Sequence, residues 1–295
     1  MTKQYKIAIL LPTRGRTDLL DRSIFSLIDN CSNLDQVQFM LGFDRDDTVG
    51  LDHFRNSLKT KLDQRGVHYR AVQFAPMGYV NINRYGNELA QRADADWYMF
   101  FNDDAVMETQ NWDDVIAQRT GEFKLLAVHT HNDHPYSIFP IVPAVWMELL
   151  GHLSPHQMID AWLSQCAYML DIWERIDVTV NHDRHDLTGN NKDSTFKGRI
   201  ALEGKPHDPN DFHHISWTQK RLNECERLSR HMVEIGMDID WWTRVKSGEQ
   251  DPWAKLKVND VNGQMVQYKM KIDPAKGELS YEYENKSREK VSQPG

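Results

Sequence analysis

The stretch Trp97-Tyr-Met-Phe-Phe-Asn-Asp-Asp104 joins an aromatic and apolar run to an amide and two acids. Trp97 to Phe101 contains no charged residue, which is the pattern of a strand buried on both faces, as in parallel sheets. Such a strand leaves its sheet at the carboxyl edge, where open α/β sheets place their ligand crevices. Asp103 and Asp104 repel each other unless a cation or several hydrogen-bond donors compensate them. The stretch predicts a divalent metal site, and a solvated acidic turn is the alternative.

Further apolar runs flank this stretch and alternate with segments of helical periodicity. Strands are predicted at 6–11, 37–43, 69–74, 124–129 and 178–180. Helices are predicted after Thr17, which can cap its helix, and at 53–64, 83–92, 112–118 and 155–173. Residues 131–143 have the composition of a loop. The alternation predicts an α/β fold, with a mostly parallel sheet between two helical layers.

The chain changes character after residue 186. Residues 186–215 are polar and rich in Gly, Pro, Asn and Asp, which predicts a long loop or flap. A helix is predicted at 216–235, opened by a capping box of Ser216 and Gln219, and a hairpin at 255–272 around Asn262-Gly263. The last residues, about 284–295, are charged and are expected to fray. We therefore expect a main domain at 1–186 and a C-terminal α+β extension at 187–295.

The composition excludes several classes of protein. The net charge of −8 argues against a general binder of polyanions. Cys31, Cys166 and Cys225 are few and widely separated, which favours free thiols in a reducing compartment over disulfides or a zinc cluster. No apolar run approaches the roughly 20 residues of a membrane span. The sequence predicts a cytoplasmic protein and indicates no oligomeric state.

Four motifs follow one another on the predicted elements. They are Leu11-Pro-Thr-Arg-Gly-Arg16 after the first strand, Asp44 after the second, Asn83-Arg84-x-x-Asn87 on the helix before the acid pair, and Asn102-Asp103-Asp104. In this order the chain resembles the GT-A (Rossmann-like) nucleotide-sugar glycosyltransferases, particularly glycosyltransferase family 2. The resemblance covers residues 5–110 well and 124–186 loosely. It implies a donor-binding half at about 1–110 and an acceptor half at 111–186. The family motif usually starts with an acid where this chain has Asn102.

The resemblance implies a metal-dependent enzyme that moves a sugar from a nucleoside-diphosphate sugar, first of all a UDP-sugar, to an acceptor hydroxyl. Mn²⁺ or Mg²⁺ would be held by Asp104, with Asn102 or Asp103 on the ribose side. His182, after a late strand, would complete the metal shell, because Mn²⁺ accepts imidazole. The alternative is that His182 and His185 only flank a polar turn.

The resemblance also assigns a donor pocket. Pro12, Thr13, Arg14 and Arg16 would approach the base and diphosphate, and Asp44 would accept a hydrogen bond from the pyrimidine N–H. Asp46 and Asp47 are expected to cap the next helix. Arg84 and Asn87 lie three residues apart and can address one ligand. All these residues could equally be ordinary solvated surface.

An inverting transfer needs a base for the acceptor hydroxyl. The resemblance points to Asp160, with Asp133 as the alternative, although an acid is also favoured at a helix N-terminus by the macrodipole. Acceptor contacts are expected from residues 131–143, Trp146 and the segment after His182, although core packing is the favoured interpretation of any single residue among them. The acceptor could be a glycan, a lipid-linked sugar, a protein or a modified nucleobase.

Three other classes stay open. The His-rich second half could belong to a metal-dependent hydrolase, but it lacks the alternating histidine spacing of common binuclear enzymes. A sugar nucleotidyltransferase shares the scaffold, yet the glycine-rich, lysine-containing first loop it normally uses is absent. A non-catalytic nucleotide-sugar or glycan-binding protein would have the same pocket.

Overall fold

A computed structural model describes residues 3–131, 136–182, 212 and 214–255, and the backbone of three strands beyond them. The strands are β1 (Tyr5–Thr13), β2 (Val37–Asp44), β3 (His68–Phe74), β4 (Ala95–Phe100), β5 (Ala105–Met107), β6 (Leu125–Thr130), β7 (Ile141–Pro143), β8 (Trp173–His182), β9 (Val258–Asn259), β10 (Met265–Asp273) and β11 (Glu278–Glu284). The helices are α1 (Thr17–Asp29), α2 (Thr48–His53), α3 (Lys59–Gln64), α4 (Ile82–Arg92), α5 (Trp112–Ala117), α6 (Ala144–Leu150), α7 (Ile159–Leu170), α8 (Ile215–Glu234) and α9 (Asp240–Ser247). A π-helical turn, Phe54–Leu58, joins α2 to α3.

The main sheet has the strand order β3-β2-β1-β4-β7-β6-β8-β5. Its first four strands are parallel, and β6 pairs in parallel with β8. β7 is antiparallel to both of its neighbours, and β5 is antiparallel to β8. The predicted mostly parallel sheet is confirmed, with β5 and β7 as the strands that run in the opposite direction.

The alternating side chains of β1 show how the sheet is buried. Ile7, Ile9 and Leu11 pack into one apolar cluster with residues of α1, α2, α3 and α5. Ala8 and Leu10 pack into the other cluster, with residues of α4, α6, α7 and α8. Because successive strand residues face opposite sides of a sheet, each face is covered by its own helical layer. The predicted three-layer α/β/α architecture is confirmed.

Two segments differ from the sequence-based expectations. Residues 131–143, predicted as a loop, contain β7, whose short apolar run pairs with β4. The helix predicted at 155–173 spans only Ile159–Leu170, because Asp171 ends it in a left-handed conformation with φ 56°. The chain then enters β8 at Trp173, so this strand is much longer than the predicted 178–180.

The predicted helix caps are also corrected. Thr17 is the first residue of α1 rather than its cap, and Arg16 occupies the cap position without a side-chain hydrogen bond. His214, not Ser216, caps α8, since its side chain accepts a hydrogen bond from the Ser216 N–H.

The described part of the C-terminal segment packs on the main core. Cys225 and Leu228 of α8 and Trp242 of α9 belong to the cluster that contains α6 and α7. β9 and β10 are antiparallel on either side of residues 260–264, and β11 extends this second sheet. Asn262-Gly263, most of the predicted flap and the end of the chain lie outside the described residues. The division at residue 186 stays a prediction.

Two further expectations concern cysteines and membranes. Cys31, Cys166 and Cys225 all carry free thiols. Among the helices that the structure describes, none has the length and apolar character needed to cross a bilayer.

Candidate functional site

Polar residues follow three neighbouring parallel strands at the same edge of the sheet. β1 ends at Thr13, β2 ends at Asp44, and β4 is followed by Asn102 and the acid pair. Because the carboxyl ends of parallel strands meet at one edge, these side chains come close together. The structure brings the predicted first loop, Asp44 and the acid pair into a set of direct contacts.

The acid pair is bridged by a guanidinium group. Arg16 pairs with Asp103 through Nη2, and its Nη1 lies 3.1 Å from Oδ2 of Asp104. Arg16 Nε also donates to Asp103 Oδ2 at 3.3 Å, and Thr13 Oγ1 donates to the same oxygen at 2.7 Å. The positive charge that two adjacent acids require is therefore supplied here by Arg16.

The two acids differ in their protonation equilibria. Asp103 is 1% exposed. Burial raises its pKa to about 6, although the charge of Arg16 acts in the opposite direction. Burial also acts to raise the pKa of Asp104, but the imidazole of His182 and the charge of Arg16 outweigh it and lower that pKa overall. Asp104 is thus the acid that stays ionised more readily.

His182 reaches the acid pair through the antiparallel pairing of β5 and β8. Ala105 lies opposite His182 in this ladder, so the residue before Ala105 is next to the imidazole. His182 Nε2 lies 3.3 Å from Asp104 Oδ1. The two predicted metal ligands are therefore neighbours.

The donor atoms of this pair fit a divalent cation. Asp104 Oδ1 is buried and accepts no well-directed hydrogen bond. A carboxylate oxygen and an imidazole nitrogen at this separation can share one Mn²⁺. Among the described residues, no group of three or more His, Cys, Asp or Glu side chains could hold a metal. A cation bound by Asp104 and His182 would thus need further oxygen ligands from water or from a phosphate.

Asp44 is part of a second ion-pair cluster. Its Oδ2 accepts from Arg14 Nη1 at 2.7 Å, and its Oδ1 accepts from the hydroxyl of Tyr85. Arg14 also pairs with both oxygens of Asp46, at 2.5 and 3.0 Å. The expectation that Asp46 caps a helix is wrong, because its carboxylate is bound to Arg14.

Asp47 caps α2 as predicted, since its side chain accepts from the Gly50 N–H. It also accepts from the Gly15 N–H at 2.9 Å, which ties the first loop to the end of β2. Pro12 lies in β1 opposite Gly42. A Cβ at Gly42 would lie 3.0 Å from the Phe74 ring and 3.3 Å from the Leu89 side chain, so both side chains would have to shift to make room for it.

Arg84 and Asn87 have different surroundings. Asn87 Oδ1 accepts from the backbone N–H groups of Leu153 and Ser154 at 2.9 and 3.2 Å, and its Nδ2 donates to the Ser154 carbonyl at 2.8 Å. Its amide therefore anchors the segment that leads into α7. Arg84 is exposed on α4. Donor contact by either residue stays a prediction.

The acceptor-side predictions have mixed outcomes. Asp160 is half-buried in the first turn of α7, and its role as base stays a prediction. Trp146 is fully buried and packs near Phe123, with ring centroids 6.0 Å apart, so the core packing favoured for any single residue of this set applies to it. Asp133 and His185 lie outside the described residues.

Two residues that the sequence did not single out also contact the site. The buried hydroxyl of Ser23 donates to the Asn102 carbonyl at 2.8 Å and so holds the turn after β4. Tyr85 binds Asp44. Both lie on the inward faces of helices, where the apolar pattern predicts core packing, and only their hydroxyl groups distinguish them from ordinary core residues.

No family model and no curated protein match the chain. Among solved structures, TarS 1-349 of S. aureus in complex with UDP is 11% identical, with 89% of this chain and 96% of that chain covered and a TM-score of 0.49. The same protein in complex with UDP-GlcNAc is also 11% identical, with 88% of this chain and 98% of that chain covered and a TM-score of 0.48. The mannosyltransferase PcManGT from Pyrobaculum calidifontis, in complex with GDP-Man and Mn²⁺, is 9% identical. The match covers 84% of this chain and 80% of that chain, with a TM-score of 0.49.

Proposed function

We propose that the protein is a glycosyltransferase that moves a sugar from a nucleoside-diphosphate sugar, with UDP-sugars as the first candidates, to an acceptor hydroxyl. The observation that carries the proposal is the arrangement of Arg16, Asp103, Asp104 and His182 beside Asp44, at the carboxyl edge of parallel strands. It brings a cation, a pair of possible metal ligands and an acceptor for a nucleobase N–H to one edge of the sheet.

We assign the diphosphate half of the donor to the acid-pair side of this edge. The side chain of Arg16 is 29% exposed, so its guanidinium can bind phosphate oxygens while it stays paired with the buried Asp103. Asp104 and His182 would hold Mn²⁺ or Mg²⁺, which when bound stabilises the negative charge of the leaving diphosphate. Both oxygens of Asp103 are engaged by Arg16 and Thr13. We therefore assign ribose contact to Asn102 and a positioning role to Asp103.

The nucleobase half fits the neighbouring strand end. Asp44 is 6% exposed and accepts hydrogen bonds from Arg14 and Tyr85. Each carboxylate oxygen has a second lone pair, so Asp44 can also accept from the N–H of a uracil ring. Arg14 lies next to this position, where its guanidinium hydrogen-bonds to both Asp44 and the more exposed Asp46.

The transfer step is proposed as a direct displacement with inversion. The acceptor oxygen forms a bond to the anomeric carbon, its proton passes to the carboxylate of Asp160, and the bond from that carbon to the diphosphate breaks. The electrons of the broken bond stay on the diphosphate, where Arg16 provides positive charge. The acceptor classes are a glycan, a lipid-linked sugar, a protein or a modified nucleobase. The free thiols support a cytoplasmic location for the reaction.

The test is a binding screen followed by a turnover assay. Thermal unfolding is measured with UDP, GDP and CDP, each with and without Mn²⁺. At a ligand concentration about 100-fold above Kd, we expect UDP with Mn²⁺ to raise the Tm by about 5 °C. Hydrolysis of a panel of nucleotide sugars then identifies the donor sugar. If no nucleoside diphosphate stabilises the protein under either condition, the proposal is refuted.

A further inference from the structure

The hydroxyl of Tyr85 lies between Asp44 and the loop that follows β3. It accepts a hydrogen bond from the backbone N–H of Met77 at 2.8 Å and donates its own proton to Asp44 Oδ1. Arg14 donates to the other oxygen, Oδ2, at 2.7 Å. The Asp44 carboxylate is therefore held from two sides, by one buried and one exposed donor.

Tyr85 is the more rigid of these two donors. It is 7% exposed, whereas the side chain of Arg14 is 47% exposed. The ring of Phe74 packs edge-on against Tyr85, with centroids 5.1 Å apart. Tyr85 also lies on α4, so both the helix and the core fix the position of its hydroxyl. A side chain that is locked by packing can orient a neighbouring functional group, which a mobile side chain does poorly.

The protonation state of Tyr85 suits this task. Burial, together with the hydrogen bond to Asp44, raises its pKa to about 12. The hydroxyl thus keeps its proton at neutral pH and always donates to the carboxylate. One lone pair on Asp44 Oδ1 is occupied in a fixed direction, which leaves the remaining acceptor positions in fixed directions as well.

We propose that Tyr85 is a positioning residue for nucleobase recognition: it orients the Asp44 carboxylate to accept a ring N–H of the donor nucleotide. This inference rests on the proposed function, because it assumes that Asp44 binds the base. Through Met77, the same hydroxyl also fixes the loop beside this site, and Gly78 in that loop has a φ of 71°.

A double-mutant cycle on UDP binding tests the inference. UDP affinity is measured by calorimetry for the full-length wild type, Tyr85→Phe, Asp44→Ala and the double variant. Asp44→Ala removes a charge-assisted hydrogen bond, and we expect it to weaken UDP binding by about tenfold or more. We expect Tyr85→Phe to weaken binding by about threefold or more in the wild type and to have no further effect in the Asp44→Ala background.

Tyr69→Phe is the matched control, since Tyr69 donates to Asp63 at 2.7 Å in an exposed tyrosine–aspartate pair. Its UDP affinity should equal that of the wild type. Unfolding temperatures of all variants show that each is folded at the temperature of the titration. A purely structural role of Tyr85 would weaken binding equally in both backgrounds.

The outcomes separate this inference from the proposed function. Tyr85→Phe with wild-type affinity, or additive effects of the two substitutions, overturns the positioning role and leaves the proposed function standing. A wild type that binds no UDP overturns the proposed uridine donor, and the inference with it. A loss in Tyr85→Phe that disappears in the Asp44→Ala background supports the inference.

Discussion

Glu224 gives a stability prediction that can be worked out from its surroundings. It lies on α8 and is 3% exposed. Trp162 Nε1 donates to its Oε2 at 2.6 Å, and His152 Nε2 lies 3.3 Å from Oε1. Burial raises the pKa of Glu224 to about 7 in spite of this hydrogen bond and the nearby cations. Burial, with the charges of Lys220 and Arg227, lowers the pKa of His152 to about 4. At neutral pH the two groups therefore do not form an ion pair.

The sign of the pH effect follows from linkage. The folded-state pKa of Glu224 lies above the unfolded value of 4.5, so the folded protein binds the proton more tightly. The associated stability is fully present below pH 4.5 and is lost as the pH rises through about 7. A change from 4.5 to about 7 corresponds to about 3 kcal/mol. Glu224→Gln keeps the hydrogen bond from Trp162 and has no charge to bury.

We therefore expect Glu224→Gln to be more stable than the wild type at pH 8, by up to about 3 kcal/mol. Near pH 4 the two proteins should be about equally stable, because Glu224 is then mostly protonated in the folded and the unfolded state. Urea unfolding across this pH range measures the difference, and the titration of His152 largely cancels in the comparison. A variant that is less stable at pH 8, or a difference that does not change with pH, refutes the reasoning.

Three further predictions concern other acids. Asp104→Asn should remove the Mn²⁺-dependent part of the stabilisation by UDP, because it removes the charged one of the two proposed metal ligands. Asp96→Asn, at a surface ion pair, is the control and should retain the Mn²⁺-dependent stabilisation. Asp160→Asn should abolish sugar transfer and leave UDP affinity unchanged in titrations, and normal turnover would exclude Asp160 as the base. Asp113→Ala should destabilise the protein by about 2–4 kcal/mol, since Asp113 is fully buried and accepts four hydrogen bonds from the turn after α1. Burial acts to raise the pKa of Asp113, but these hydrogen bonds outweigh burial and lower it. The loss of stability measured by urea unfolding at neutral pH should therefore shrink as the pH falls through the lowered pKa. The control Asp35→Ala, at an exposed site, should change the stability very little.

The first half of the fold was predictable because its strands are buried on both faces. Runs such as Trp97 to Phe101 have a strong local signal, and the polar residues that follow them mark the carboxyl edge. β7 was missed because it has only three residues and lies in a segment rich in Pro and His. The end of the helix before β8 was missed because it depends on the left-handed conformation of Asp171, which the local sequence does not indicate.

The sequence predicted which residues form the candidate site better than it predicted the hydrogen bonds and ion pairs among them. Thr13, Asp44 and the acid pair follow from the ends of parallel strands. The bridging role of Arg16 depends on the path of a loop, which hydrophobic periodicity does not encode. Asn87 was expected at the donor, yet the structure uses its amide to hold backbone atoms of a distant segment. Such contacts depend on tertiary packing, which one sequence alone does not specify.

The pairing of β5 with β8 has a consequence for how the site comes into being during synthesis. The turn with Asn102 emerges from the ribosome 80 residues before His182, and only the β5–β8 ladder brings the two together. The first four strands, Arg16 and the acid pair are therefore all synthesised before the imidazole of His182. Until then Arg16 can offset one of the two carboxylate charges, and His182 joins the acid pair when β8 pairs with β5.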